Sequence, residues 1–146
     1  MAVSAEEAVR AVLLANAAVN LIVGTKIRPF KASQDETGFY LCYQRIASPV
    51  EHHMGGATGV RQVLIQINGY AQTKAGLHDL RDKVRLALDG KPSGLVTVGT
   101  NSLSVHTISL QDDRDQDALQ DEGEDASVFG FQQDYLVWHA ETVPTF

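Results

Sequence analysis

The first apolar pattern in the chain is helical. Within residues 5–19, apolar side chains recur at the spacing of one helix face. Ser4 and Glu7 stand immediately before this pattern in the order of a capping box. The apolar run then continues past residue 19 and stops at Gly24. We therefore predict an N-terminal amphipathic helix over about residues 5–19.

A second helix is predicted over about residues 74–88. Its apolar side chains form a stripe on one face, and its basic residues lie away from the centre of that stripe. Thr73 is the expected N-cap because its hydroxyl can accept from a free amide of the first turn. Gly90 follows the last apolar residue in the position that often takes a left-handed conformation. Both ends of this helix are therefore marked in the sequence.

Five other stretches are rich in β-branched and aromatic residues and predict strands, and a sixth, at residues 26–29, predicts a short extended piece. The five strands lie at about residues 39–46, 61–70, 95–98, 103–110 and 129–138. Helices and strands come in blocks, without a repeated βαβ order. We therefore expect one α+β domain over residues 1–146, with a mostly antiparallel or mixed β-sheet covered by two α-helices.

Two long connections interrupt this pattern. Residues 49–59 contain three glycines and predict the tip of a long β-hairpin. Residues 112–125 are so rich in charge that we predict a solvated acidic loop. Long connections in compact domains are usually functional or disordered, so both are candidates for contacts with other molecules.

The acidic loop also dominates the charge of the chain. The net charge is −6, and residues 112–125 hold eight acids and one base. The remainder of the chain, with 10 acids and 11 bases, is nearly neutral. This distribution argues against a basic face that binds nucleic acid. It predicts a neutral body that carries one acidic segment.

Part of this segment resembles a calcium-binding loop. Asp113, Asp115, Asp117 and Glu124 match ligand positions 1, 3, 5 and 12 of an EF-hand. The sixth position needs glycine for a sharp turn, and here it is Ala118. The flanking patterns also predict strands instead of helices. We therefore expect no calcium site, no other metal and no cofactor.

Catalytic chemistry has equally little support in the sequence. His52 and His53 are adjacent, so on a strand they would point to opposite faces and chelate poorly together. The single cysteine, Cys42, stands among aromatic and aliphatic residues and is expected to be buried. No nucleophile elbow, Walker loop or dinucleotide fingerprint is present. We expect a protein that has no catalytic residues and no membrane span. We also expect it to be made in the cytoplasm.

Taken together, the segments resemble the tail-completion or tail-terminator proteins of long-tailed bacteriophages and gene transfer agents. The resemblance extends over most of the chain and depends on the order of its segments. These are the first helix with Val23–Pro29, the strand Phe39–Ile46, Val63–Tyr70 with the second helix, Ile108–Asp115, and Asp134–His139.

The resemblance implies a structural role in the virion. Such proteins form a ring, usually hexameric, that caps the tail tube, stops its polymerisation and offers a surface for head–tail joining. The implied partners are further copies of the chain, the tail tube protein and the head–tail connector or neck proteins. DNA would pass through the lumen without specific binding.

Two groups of residues are candidate contact sites under this hypothesis. The hairpin tip would reach a neighbouring subunit or an axial partner through Glu51, His52, His53, Met54 and Thr58. The acidic loop would face the lumen or an interface through Asp112, Asp113, Asp115, Asp117, Asp121, Glu122, Glu124 and Asp125.

Two other functions stay open at this point. A head-completion or neck adaptor at the portal side could use a similar body, and sequence alone hardly separates it from a tail terminator. A small hydrolytic enzyme could use His106, His139 and carboxylates, but no pairing of a nucleophile with a base is visible.

Overall fold

The computed structural model describes residues 4–29, 39–48, 50–53, 56–120 and 127–140. In chain order the elements are α1 (Ala5–Ala15), α2 (Ala17–Val23), β1 (Ile27–Pro29), β2 (Tyr40–Ala47), β3 (Val50–His53), β4 (Gly56–Ala71), α3 (Lys74–Leu88), β5 (Gly94–Val98), β6 (Asn101–Gln120) and β7 (Ser127–Ala140).

The strands form one mixed sheet. Its order is β1-β2-β4-β7-β6-β5, and β3 pairs with the first part of β4. The pairing of β1 with β2 is parallel, and the other described pairs are antiparallel. Pro29 lies in the edge strand β1, where its missing amide hydrogen removes no bond between central strands. The predicted α+β class is confirmed.

The helices pack on one face of this sheet. Val63, Ile65 and Ile67 alternate along β4, and all three are fully buried. Leu13 of α1 and Leu80 of α3 belong to the same core and are also inaccessible. Because α1 contacts both β2 and β5, which lie towards opposite edges of the sheet, the sheet curls around this helix.

The end signals of α3 act as the sequence predicts. The Thr73 hydroxyl accepts a hydrogen bond from the Gly76 amide at 3.1 Å. Gly90 follows the helix with a φ of 76°, a conformation that costs glycine little. Its amide donates to the Ile108 carbonyl at 2.8 Å, and the Leu110 amide donates to Asp89 at 3.0 Å. The C-terminal end of α3 is thereby held on β6.

The prediction of one continuous helix over residues 5–19 is wrong at Asn16. Asn16 is extended, with a φ of −80° and a ψ of 117°, so the segment is divided into α1 and α2. The Asn16 side chain accepts from the Val19 amide at 3.1 Å and caps the second helix. Asparagine favours such a break because its amide competes with the backbone. Three helices, instead of two, therefore cover the sheet.

The prediction of a loop over residues 112–125 is also wrong where the structure describes it. Strand β6 continues to Gln120 and pairs with β7, with Asp113 opposite Gln133 and Gln120 opposite Ser127. Aspartate is unfavourable in strands, but β-propensity depends strongly on the neighbouring strand. Here β7 supplies hydrogen-bonding partners, with irregularities in register between Leu110 and Asp112 and between Gln116 and Leu119, and the charged side chains of residues 112–115 alternate between the two faces of β6.

Candidate assembly surfaces

Two hairpins extend from opposite ends of the sheet. In the antiparallel pairing of β4 with β7, Val60 lies opposite Ala140 and Ala71 lies opposite Phe129. The β3–β4 hairpin therefore lies at the Ala140 end. The hairpin formed by β6 and β7 leaves the sheet at the Ala71 end. The twelve paired residues of β4 separate the two ends by about 36 Å.

The second of these hairpins is called the acidic arm, and it comprises residues 111–120 of β6 and 127–134 of β7. Strand β4 accompanies it only as far as the pair Ala71–Phe129. The pairing of β6 with β7 continues beyond this point to Gln120 and Ser127. The outer part of the arm is therefore a two-stranded ribbon.

Ion pairs fix the base of the acidic arm on helix α3. The Arg81 guanidinium contacts Asp115 and lies 3.5 Å from an Asp113 oxygen. These two aspartates are two residues apart on β6 and thus project from the same face. The Arg81 side chain is only 17% exposed, so water screens its charge incompletely. Repulsion within this part of the arm is therefore offset by a half-buried cation.

A second arginine balances the opposite face of the arm. Arg114 contacts Asp112 on its own strand and lies 3.3 Å from Asp134 on β7. Asp112 and Asp134 are direct cross-strand partners, an arrangement of like charges that would be destabilising without a cation between them. A positively charged arginine side chain therefore contacts the acidic residues on each face of the base of the arm: Arg81 on one face and Arg114 on the other.

Below Arg81 lies a buried polar pair on β7. The Tyr135 hydroxyl donates to the Gln133 side-chain oxygen at 2.7 Å, and both residues are fully buried. The Gln133 amide nitrogen is 3.5 Å from the Arg81 carbonyl. Burial raises the pKa of Tyr135 far above its usual range, and the charge of Asp113 acts in the same direction. The hydroxyl therefore stays protonated and keeps its role as donor.

A third surface is a cleft beside α1. It has a volume of about 680 Å³ and lies between β1 and β5, with Arg10 and Arg28 among its lining residues. The Arg10 Nε donates to the Ile27 carbonyl at 3.1 Å, which fixes this side chain along the edge strand. Burial raises the pKa of Tyr43, which also lines the cleft, while the nearby Arg10 lowers it. The cleft thus has positive charge on its wall, and one of its cations is held by the backbone of the edge strand.

The structure brings together only some of the predicted contact residues. Asp113 and Asp115 converge on Arg81, and Asp112 lies on the opposite face of the arm. Five other predicted residues lie in strands, and the structure describes only their backbone: Glu51, His52, His53, Thr58 and Asp117. The remaining ones lie outside the described residues: Met54, Asp121, Glu122, Glu124 and Asp125.

The described part of the calcium-like motif does not form a cation site. Asp113 and Asp115 lie on a straight strand and are bound to Arg81. Within the described ranges, no three carboxylate, histidine or cysteine side chains come together as a metal site. Strand geometry spreads the ligands of such a motif, whereas an EF-hand requires a loop that turns them inward.

The residues proposed for hydrolytic chemistry are also separated. His106 is exposed, whereas His139 is 8% exposed and its Nδ1 lies 2.7 Å from the Ala140 carbonyl. Neither histidine lines the cleft beside α1 or either of the two smaller clefts formed by described residues. Cys42 is buried, as predicted. The observed features thus favour contact surfaces over a catalytic centre.

Sequence reasoning missed Arg81, Gln133 and the cleft. The sequence placed Arg81 only on the side of an amphipathic helix, with no sign that acidic residues 32 and 34 positions later would reach it. Gln133 had the appearance of a solvent-facing residue in an alternating strand. The one available signal was the alternation of Phe131 and Tyr135, which put Gln133 on the same buried face.

Comparison with known families agrees with this arrangement. The family model described as tail completion protein gp17 matches residues 7–127, which is most of the chain. This chain belongs to the tail completion protein gp17 family. It is therefore a structural protein of a phage-type tail and a component of the virion, and it assembles with other tail and virion proteins.

The fold of this tail completion protein also occurs in a solved particle structure. A chain from the virion of a native gene transfer agent (GTA) particle superposes with a TM-score of 0.65 at 16% sequence identity. The match covers 94% of this chain and 96% of that chain. At this identity the similarity concerns the fold. No curated protein sequence matches this one.

Two resemblances drawn from the sequence are thereby confirmed, namely the tail-completion family and the likeness to gene transfer agents. In the part of the tail completion protein that the structure describes, no helix is long and apolar enough to cross a membrane.

Proposed function

We propose that this tail completion protein is a tail terminator: copies of it close into a hexameric ring on the end of the tail tube. The ring stops further addition of tube subunits and provides the surface to which the head connector binds. The observation that supports this proposal best is the pair of hairpins at opposite ends of one rigid sheet.

A ring between two partners needs contacts in two axial directions as well as sideways contacts. The two ends of the sheet lie about 36 Å apart, so one subunit can present the β3–β4 hairpin to one axial neighbour and the opposite end of the sheet to the other without a change in its core. The lateral contacts of a ring are head-to-tail, so each subunit needs two different complementary surfaces. The edge strands β1 and β5 and the cleft beside α1 offer surfaces of this kind.

The decisive experiment removes the protein from an otherwise complete set of virion proteins. We expect overlong tails, because the tube would continue to polymerise in the absence of its cap. Electron microscopy of negatively stained lysates measures the tail lengths. Tails of normal length beside separate DNA-filled heads would overturn the terminator proposal and favour the neck adaptor.

The contribution of the β3–β4 hairpin can be tested separately. Deletion of Glu51–Thr58 removes the end of the hairpin but leaves residues 60–71 of β4 paired with β7. We expect this variant to fold, as measured by circular dichroism, and to fail in tail assembly. A single substitution in the same hairpin, Glu51→Gln, is the control that keeps its length. Normal tail assembly by the folded deletion variant would exclude this hairpin as an essential contact.

A further inference from the structure

The cleft beside α1 continues along strand β5. A second cleft, with a volume of about 410 Å³, adjoins it and shares Ala11, Ala15 and Thr97 with it. The shared floor is made of small side chains of α1, so the groove between helix and strand stays open. The combined groove runs from Arg28 on β1 to Lys91 before β5. We call it the α1–β5 groove.

The strand that borders this groove is a poorly protected sheet edge. Strand β5 has no charged residue and no proline, and among the described residues it pairs only with β6. Leu95 on this strand is 71% exposed and lines the groove. Proteins usually protect such edges with lysine, proline, a bulge or a covering segment. An exposed, uncharged edge of this kind favours a further chain segment as its neighbour.

The charges around the groove are mostly positive. Arg10 and Arg28 line one end and Lys91 lines the other, whereas Glu7 is the only acid among the lining residues described. The Glu7 carboxylate accepts a hydrogen bond from the Ser4 hydroxyl at 3.0 Å and keeps its charge, so it offsets one of the three cations. An occupant with apolar and acidic side chains therefore fits this groove best.

The acidic arm and residues 121–126, which join its two strands in the sequence, have that composition. Residues 112–125 contain eight acids and one base, with Ala118 and Leu119 among them. Asp112, Asp113 and Asp115 contact Arg114 or Arg81 within the same subunit, so the negative charge available to a partner comes from the five acids between Asp117 and Asp125. Beyond Ala71 the arm is a two-stranded ribbon, and a ribbon of two strands is only marginally stable without a covering partner. Packing in a groove would supply this partner and would bring negative charge to a positive rim.

The arm cannot occupy the groove of its own chain. Strand β5 pairs with residues 101–105 at the start of β6, whereas the outer arm begins near Gln116. Eleven residues of extended strand separate Val105 from Gln116, a distance of about 36 Å. The arm also leaves the sheet in the direction away from β5. An acidic arm that binds in this groove must therefore belong to another copy of the chain.

We infer that the α1–β5 groove of one subunit binds the acidic arm of the next subunit. The inference rests on the proposed ring and names its lateral contact. The arm and the groove are different surfaces of one chain, so the contact is heterologous and can close into a ring. It places the acidic arm at a subunit boundary and not in the lumen.

Cysteine cross-linking tests this contact. Thr97→Cys places a thiol in the groove, and Gln120→Cys places one on the arm, in a Cys42→Ala background that removes the native thiol. A short bis-maleimide is applied to the purified double variant and to particles in which it is the sole copy. We expect a ladder that ends at the ring size. An equal mixture of the two single variants should yield cross-linked dimers only.

Charge reversal provides a second readout. We expect Arg28→Glu to reduce the cross-linked fraction about tenfold at low ionic strength, and a second change, Asp117→Lys, to restore it. Lys91→Glu, at the other end of the groove, should act in the same direction. Lys74→Glu is the matched control, because this exposed cation is on α3 outside the groove. Equal behaviour of Arg28→Glu and Lys74→Glu would overturn the inference.

The results separate this inference from the proposed function. Particles that contain the protein and have tails of normal length, but give no cross-link between groove and arm, would overturn the contact and leave the terminator standing. Cross-linking of the groove to a tube or connector protein would overturn it in the same way. If the tails keep their normal length when the protein is removed, the terminator proposal itself is wrong.

Discussion

Gly69 on β4 and Phe131 on β7 are direct cross-strand partners, and the phenyl ring occupies the space that a side chain at Gly69 would need. The Arg81 guanidinium lies over this ring, 5.7 Å from its centre. Because Arg81 also binds Asp113 and Asp115, one stack of side chains connects the middle of the sheet to the base of the acidic arm.

This stack predicts that Gly69→Ala is destabilising. The added methyl group would overlap the Phe131 ring, which is fully buried and has little room to move. Overpacking of this kind costs about 1–3 kcal/mol of unfolding free energy. Urea unfolding followed by fluorescence measures the change. The control is Gly94→Ala on β5, where nothing lies within 4 Å of the new methyl group. Equal midpoints for the two variants would contradict this packing.

Arg81→Met is predicted to loosen the acidic arm without unfolding the body. Methionine keeps the apolar stem but leaves Asp113 and Asp115 without their cation. We expect a loss of about 1–2 kcal/mol, which becomes smaller at high salt because salt screens the remaining repulsion. Arg85→Met is the control, since Arg85 is 58% exposed and pairs only within its own helix in the contacts described. Hydrogen exchange should rise in residues 111–120 for the first variant and stay unchanged for the second.

The Tyr135–Gln133 pair predicts a loss of stability in alkali. Burial raises the pKa of Tyr135 in the folded protein, while in the unfolded chain it is about 10. Above that pH the unfolded state releases a proton that the folded state retains, so the free energy of unfolding falls as the pH rises. The slope from one such group is about 1.4 kcal/mol per pH unit. Below pH 10 both states keep the proton and this contribution is complete.

Tyr135→Phe tests the same pair. At neutral pH it removes the hydroxyl that donates to Gln133 and leaves a buried acceptor, at a cost of about 1–3 kcal/mol. Above pH 10 its stability should decline less steeply than that of the natural protein. Tyr43, whose pKa is also raised, keeps part of the slope. Parallel curves for the two proteins across pH 9–11 would show that Tyr135 is not the titrating group.

Asn16→Ala is predicted to cost about 1 kcal/mol, because Asn16 caps α2 through the Val19 amide. Thermal unfolding followed by circular dichroism measures this loss. Asn16→Ser is the matched control, because a serine hydroxyl at the same position can also accept from the Val19 amide. If both variants lose the same stability, the cap is not the cause.

The local sequence was sufficient for elements whose signals are near one another in the chain. Thr73 and Gly90 marked the ends of α3, and the alternation of Val63, Ile65 and Ile67 identified the buried face of β4. Asn16 was a signal of the same kind that the helical pattern around it concealed. In a sequence, an asparagine that caps a new helix cannot be distinguished from one that is tolerated inside a longer helix. The difference becomes visible only when the direction of the following segment is known.

Residues 112–120 show where local information ends. Their composition alone predicts a solvated loop, and only the pairing with β7 makes them a strand. The hydrogen-bonding partners on β7 and the cation Arg81 on α3 come from other segments of the chain, and Arg114 of the strand itself contacts Asp134 of β7. Local propensity is worth less than about 1 kcal/mol per residue in a sheet, so such distant contacts can reverse it.

The sequence by itself determined the α+β class, the buried faces of the main strands and the membership of a tail-completion family, since each depends on periodicity or on the order of segments along the chain. The tertiary structure alone decided that the two hairpins lie at opposite ends of the sheet, that Arg81 holds the acidic arm, and that a groove lies between α1 and β5. These features depend on strand order and register, which are set by packing between residues far apart in the chain. The contact surfaces of this protein are products of that packing.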